Sequence, residues 1–263
     1  MMNHRCGRKN FMKSKKAFKL IKKNTFISCI PLISANRDEL LSDVEVGVAN
    51  GCDFLEWRRD HFMPGERLTA AEEQELLIEI KTRMPDQGLI YTYRSHLEGG
   101  VCETSDEIRA AAVIAAIKSN RVDYVDMELN SEPAFLKRII SVLEVSDCQW
   151  LVSYHNFAKT PITEEINAVF RAMEAVGGDV LKLAVMPQSM DDVRHLIQAT
   201  LTYNEKSRKP MIAIAMGSLG AITRIAPDLC GGSLTFAAGA GKTAPGQLSL
   251  EEIIDMRKRM ALI

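Results

Sequence analysis

The sequence predicts an α/β fold, a (β/α)8 TIM barrel, on three observations. Short apolar runs alternate eight times with longer helical patterns after residue 24. Several of the runs are apolar at consecutive positions, as in strands of a parallel sheet covered by helices. The connections are mostly short, with no linker or low-complexity tract, and eight such units in this length fit a closed barrel. A doubly wound open sheet is the alternative. It would put a glycine-rich phosphate loop after the first strand, where this chain reads PLISANRD, without glycine.

The first run is 25–33, followed by a helix over 36–49 that Ser34 or Asn36 can cap. The second run, 53–58, precedes a Glu- and Leu-rich helix over 68–84, stopped by Pro85. The third run, 88–94, leads to an Ala- and Ile-rich helix over 105–118 with Thr104 or Ser105 as cap. The fourth, 123–129, leads to a helix over 133–145 with Pro133 in the favoured first turn. The fifth, 149–155, is followed by a helix over 163–175 that exits through Gly177 and Gly178. The sixth, 179–185, is followed by a helix from 191 to 203. The seventh, 210–216, precedes a short segment from Ala221. The eighth, 233–238, precedes a helix over 249–260, where Ser249 and Glu252 fit a capping box.

Charge is unevenly spread. Residues 1–24 hold nine Lys or Arg and no acid, which predicts a flexible basic arm ahead of a single catalytic barrel over 25–263. The rest of the chain carries 24 basic residues against 34 acidic ones, and an acidic body argues against nucleic-acid binding. No apolar stretch is long enough to span a membrane, and the N-terminus has no continuous apolar core. The six cysteines form no CxxC pair and read as free thiols in a reducing compartment, so the expected location is cytoplasmic.

The chemistry centres on Lys182, inside the apolar run DVLKLAV. An unpaired ammonium is expensive to bury, so either this is an edge strand whose lysine reaches water, or Lys182 is an amine nucleophile. Unusual polar residues recur where a barrel places its active site, at the C-terminal strand ends. Glu56 and Arg58 share one face of the second run, and Arg94 ends the third, with Glu98 following. Glu128 is near the end of the fourth, His155 ends the fifth, Arg224 follows the seventh, and Thr243 and Gln247 follow the eighth. Glu56, Glu98, Glu128 and His155 could hold a divalent ion. Lys182, Arg58, Arg94 and Arg224 at the same mouth favour an anionic substrate instead. The segment GAGKT at 239–243 lacks the first glycine of a nucleotide-binding loop, and its glycines suit a flexible cover.

Seven motifs spread along the chain carry a resemblance: FLEWRRDH at 54–61, YTYRSHLEGG at 91–100, VDMEL at 125–129, VSYHNFAKTP at 152–161, LKLAVMPQS at 181–189, MGSLGAITR at 216–224 and KTAPGQ at 242–247. In order and spacing they resemble the type I 3-dehydroquinate dehydratases, the Schiff-base class of the shikimate pathway. The resemblance implies a (β/α)8 barrel, dimeric, without cofactor or metal, that dehydrates 3-dehydroquinate to 3-dehydroshikimate. It implies Lys182 as the Schiff-base lysine, His155 as general acid/base and Glu98 as the carboxylate paired with the histidine. Glu56, Arg58 and Arg94 match residues around the substrate hydroxyls and the imine. Arg224 and Gln247, with Thr243 beside them, match the carboxylate-binding group, and Met216 matches a lining residue.

There are departures from the family pattern. Thr243 stands where serine is usual, Ser218 where many members have lysine, and Ala158 where many have a second histidine. Residues 1–24 are too basic and irregular for the short strands that plug the barrel base in the family, so that end is expected to be more open. Burial and the neighbouring Arg58, Arg94 and Arg224 are expected to favour a neutral Lys182 amine. A Schiff-base aldolase and a barrel that binds without turnover are the competing readings.

Overall fold

The computed structural model describes residues 19–62 and 68–263. Strands β1 (Ile27–Leu32), β2 (Phe54–Arg58), β3 (Gly88–Thr92), β4 (Tyr124–Glu128), β5 (Gln149–Asn156), β6 (Val180–Val185), β7 (Met211–Ala215) and β8 (Leu234–Phe236) alternate with eight helices. These are α1 (Arg37–Ala49), α2 (Ala70–Arg83), α3 (Asp106–Lys118), α4 (Pro133–Leu143), α5 (Thr163–Ala175), α6 (Met190–Lys206), α7 (Ala221–Ile225) and α8 (Leu250–Arg259). Every paired neighbour is parallel, in the order β7-β6-β5-β4-β3-β2-β1-β8. This is the expected (β/α)8 barrel. The seam between β7 and β8 is bridged by Arg224, which donates to the Phe236 carbonyl at 3.4 Å.

Two apolar layers follow from the two-residue period of each strand. Leu55, Trp57, Leu181, Leu183 and Val185 pack outward against the helices. Phe54, Ile90, Tyr124, Leu151, Val180, Ile212 and Leu234 fill the barrel's lower interior. Above them the inward positions turn polar: Glu56, Thr92, Asp126, Ser153 and Lys182 are all buried. Lys182 therefore lies in a strand flanked on both sides, by β5 and β7. The edge-strand reading is excluded.

The helices begin where local chemistry expects. Asn36 caps α1 by accepting from the Glu39 amide, and Thr69, Ser189 and Ser249 form capping boxes on α2, α6 and α8. Helix α6 runs longer than the sequence pattern indicates, to Lys206, because Asn204 is buried on its inner face and donates to the Gly231 carbonyl at 2.8 Å.

Of the expected basic arm, residues 1–18 lie outside the described residues. Residues 19–24 pack across the barrel base, which is closed rather than open. Ile21 is buried among Phe54, Tyr124, Leu151 and Val180, and its amide donates to the Tyr124 hydroxyl at 2.9 Å. The Lys23 ammonium donates to the Asn204 and Ser207 carbonyls. Asn24 is held by Ser233 and Asn204. The basic Lys23 fits here because its donors meet carbonyls at the end of α6.

Candidate active site

One cavity at the C-terminal mouth of the barrel is lined by all ten expected site residues: Glu56, Arg58, Arg94, Glu98, His155, Lys182, Met216, Arg224, Thr243 and Gln247. They come from within β2 and β6, from the ends of β3, β5 and β7, from helix α7, and from the loops after β3 and β8. A larger hollow lies outside the barrel between α2 and α3, where Arg59 and Glu73 bond each other.

Lys182 is 5% exposed. Its ammonium donates to Asp126 at 2.8 Å, stands 3.6 Å from Glu56 and lies 4.2 Å from the centroid of the Phe236 ring. The charges that face it most closely are therefore two carboxylates, not the arginines the sequence reading set beside it. Arg58 and Arg94 are already committed. Arg58 makes a two-pronged bond to Asp60 at 2.9 and 2.8 Å. Arg94 reaches Asp126 at 2.8 Å and Glu128 at 2.9 Å. Burial would raise the Asp126 carboxyl, but Arg94 and Lys182 outweigh it and hold the group well below the usual carboxylate range. Asp126 also accepts from Ser153 at 2.6 Å.

His155 is fixed by Glu98, whose Oε2 accepts from the histidine's backbone N–H at 2.9 Å and lies 2.9 Å from its Nδ1. That geometry assigns the proton to Nδ1 and leaves Nε2 as an acceptor. Burial, then Arg94 and Lys182, push the ring well below its ordinary value, so it is neutral at neutral pH and able to act as a base. Burial pushes Glu98 up to about 7.

Arg224 differs from the other two arginines. It is 1% exposed and, among the described residues, meets only carbonyls, those of Phe236 and Pro245, while its Nε has no hydrogen-bond partner among them. Burial alone lowers it to about 10. A buried guanidinium facing a cavity with no carboxylate beside it fits an anion from outside. Thr243 and Gln247 stand at the same end of the cavity and at present bond each other, Gln247 Nε2 donating to Thr243 Oγ1 at 2.9 Å.

The carboxylates weighed as metal ligands are bonded to different partners. Glu56 accepts from Thr92, Glu98 from His155, and Glu128 from Arg94 and Arg109. Among the described residues no three His, Cys, Asp or Glu converge in a way that could hold a metal ion.

Asp126, Ser153, Asp60 and Arg109 bond the site residues without being among those expected from the sequence. The first two were within reach, since each stands two residues before a chosen residue, Glu128 and His155, and so shares its face. Arg109, on α3, reaches the Tyr93 carbonyl and Glu128 from outside the barrel, and no strand pattern marks it.

Residues 28–261 match the family model of type I 3-dehydroquinase. The 3-dehydroquinate dehydratase of Klebsiella pneumoniae is 37% identical over 232 residues, covering 87% of this chain and 92% of its own. That of Listeria monocytogenes is 36% identical over 225 residues, covering 86% and 88%. The crystal structure of 3-dehydroquinate dehydratase from Geobacillus kaustophilus superposes with a TM-score of 0.83 at 29% identity, covering 93% of this chain and 97% of that one. The type I enzyme of Clostridium difficile, solved with covalently modified comenic acid, superposes with a TM-score of 0.82 at 28% identity, covering 89% and 91%. With a buried strand lysine, a carboxylate-held histidine and an unpaired arginine at one barrel mouth, and a family match across nearly all of its length, the chain belongs to the type I 3-dehydroquinase family.

Proposed function

We infer that this protein dehydrates 3-dehydroquinate to 3-dehydroshikimate through a Schiff base on Lys182. The observation that carries the reading is Lys182 buried in the barrel interior, with the Glu98-held His155 and the unpaired Arg224 lining the same cavity.

Lys182 Nζ gives up one proton and adds to the substrate ketone carbon; the ketone oxygen takes a second proton from the amine together with the one released, leaves as water, and the nitrogen keeps its last proton as a protonated imine. The positive charge then sits where the ammonium sat, beside Asp126 and Glu56, so the carboxylates stabilise the covalent cation. The imine acidifies the adjacent C–H, and His155 Nε2 takes that proton, giving an enamine. The enamine electrons expel the β-hydroxyl. It collects the same proton from His155 and departs as water. Hydrolysis of the product imine consumes one water and frees Lys182, for a net loss of one water from substrate. Glu98 orients His155 and stabilises its transient cation. Arg224 binds the substrate carboxylate, with Thr243 and Gln247 exchanging their mutual bond for it, and Met216 supplies an apolar wall. Glu56, Arg58 and Arg94 read the hydroxyls.

The test is incubation with 3-dehydroquinate with and without borohydride, followed by peptide mass spectrometry and ultraviolet detection of the conjugated product. A reduced adduct on Lys182 together with product is expected. Lys182→Ala should abolish both, while His155→Ala should trap the adduct and turn over very slowly. Folded protein that gives neither adduct nor product overturns the reading, and His155→Ala with wild-type turnover overturns the role of the histidine.

The same reading takes the barrel as a single catalytic unit acting as a homodimer in the cytoplasm without a cofactor. No helix among the described residues is long and apolar enough to cross a membrane. Sedimentation and cell fractionation test assembly and location.

A further inference from the structure

Asp60 has no part in the chemistry derived above, yet it is 1% exposed and carries an unusual load. Its carboxylate takes the Arg58 fork at 2.9 and 2.8 Å, the Arg94 amide at 3.4 Å and the Val101 amide at 3.3 Å, and its carbonyl accepts from the Cys102 thiol at 3.0 Å. His61 Nε2 stands 3.9 Å away. The Arg94 and Val101 amides are the two ends of the loop that carries Glu98, and Arg58 adds a bond to the Gly99 carbonyl at 3.4 Å.

That loop touches the histidine twice. Glu98 accepts from both the Nδ1 and the backbone N–H of His155. Gly99, at φ +88, approaches Phe157 so closely that an added Cβ would stand 2.8 Å from its ring. The Phe157 ring in turn stacks on His155, with centroids 6.3 Å apart and planes 15° from parallel. A short loop with a 3-10 turn has little rigidity of its own, so its ends decide where Glu98 points.

We propose that Asp60 is a positioning residue for proton transfer: by joining Arg58 to both ends of the 94–101 loop it sets Glu98 and Phe157, and through them the His155 ring. Asp60 acts through these groups and touches no reacting atom. Imine formation at Lys182 draws on Asp126 and Glu56; Arg94 meets Asp126 through its guanidinium, whereas Asp60 holds only the Arg94 backbone N–H. The proposal rests on the dehydratase reading.

Asp60→Asn keeps the shape and one acceptor but loses the charge that holds Arg58. The measurement is the borohydride-trapped fraction on Lys182 beside kcat and KM for product formation, with folding checked by near-ultraviolet circular dichroism. Trapping close to wild type with kcat lower by roughly 100-fold is expected, the scale of a misplaced catalytic group. Gly99→Ala perturbs the far end of the same connection and should show the same split. Unchanged kcat in folded Asp60→Asn overturns the clamp, as does a parallel fall of trapping and turnover. Should Asp60→Asn not fold, a Gly99→Ala protein without the split overturns it. The wild-type protein is run alongside. If it neither traps nor turns over, the dehydratase reading falls first and the clamp with it, an outcome distinct from a normal wild type with an indifferent variant.

Discussion

At the scale of single residues, two buried groups of the cavity work against folded-state stability. Arg224 is lowered to about 10 by burial from an ordinary 12.5, so at neutral pH the folded protein keeps this charge but holds it less tightly than the unfolded chain does, at a cost on the order of 3 kcal/mol. Arg224→Met is accordingly expected to unfold at higher denaturant concentration than the native protein while its KM rises steeply, measured by urea unfolding and initial rates. Glu98 gives a pH signature. Its carboxyl rises from 4.5 unfolded to about 7 folded, so the folded state binds the proton more tightly. The stability this proton contributes is complete below 4.5 and is lost as pH climbs to about 7. Glu98→Gln escapes that loss, and the variant should gain stability relative to wild type across this window, followed by unfolding at stepped pH.

Among elements, the loop after β8 behaves as a cover latched to the turn after β7. The Gly217 amide donates to the Pro245 carbonyl at 3.0 Å, and Arg224 donates to the same carbonyl at 3.1 Å. Gly246 makes the approach possible. Its φ is +76, and an added Cβ would stand 2.4 Å from the Gly217 carbonyl oxygen, which is backbone and cannot move aside alone. Gly246→Ala is expected to lift the cover, displace Gln247 and raise KM by about tenfold or more, the scale of a lost charge-assisted contact. Steady-state kinetics over a range of 3-dehydroquinate concentrations would reveal it. The methyl of Thr243 does not prevent its hydroxyl from meeting Gln247 at 2.9 Å, so the departure from serine leaves that bond intact.

For the whole molecule, the base and the mouth depend on different physics. The base is sealed by apolar contact, and Ile21→Ala should cost about 2–5 kcal/mol, typical of a buried isoleucine truncation. Thermal unfolding would register it, with kcat unchanged. The mouth is held by buried ion pairs. Asp60, Asp126 and Glu128 are each disfavoured by burial but held below their ordinary values by Arg58, by Arg94 and Lys182, and by Arg94 and Arg109 respectively. Groups with lowered folded values contribute stability above their unfolded values, 3.8 for Asp and 4.5 for Glu, and lose it as pH falls further. Acid unfolding should therefore begin near pH 4 and be steeper than in a variant carrying Glu128→Gln.

What the chain determined by itself was the periodic part. Eight apolar runs with helical segments between them specify strands, helices and an inward face, and that face placed Glu56, Arg58, Arg94, His155 and Lys182 at one mouth. Motif spacing carried the family. The partners of those residues were decided only by the tertiary structure. The pairing of Arg58 with Asp60, of Arg94 with Asp126 and Glu128, and of Lys182 with Asp126 depends on which side chains meet across strands tens of residues apart. Alternation orients a side chain inward but does not say which neighbour it will meet. The closed base has the same origin. Nothing local in residues 19–24 shows that their donors will find the carbonyls of Asn204 and Ser207, because that contact exists only once the barrel has brought together residues 181 and 184 positions apart.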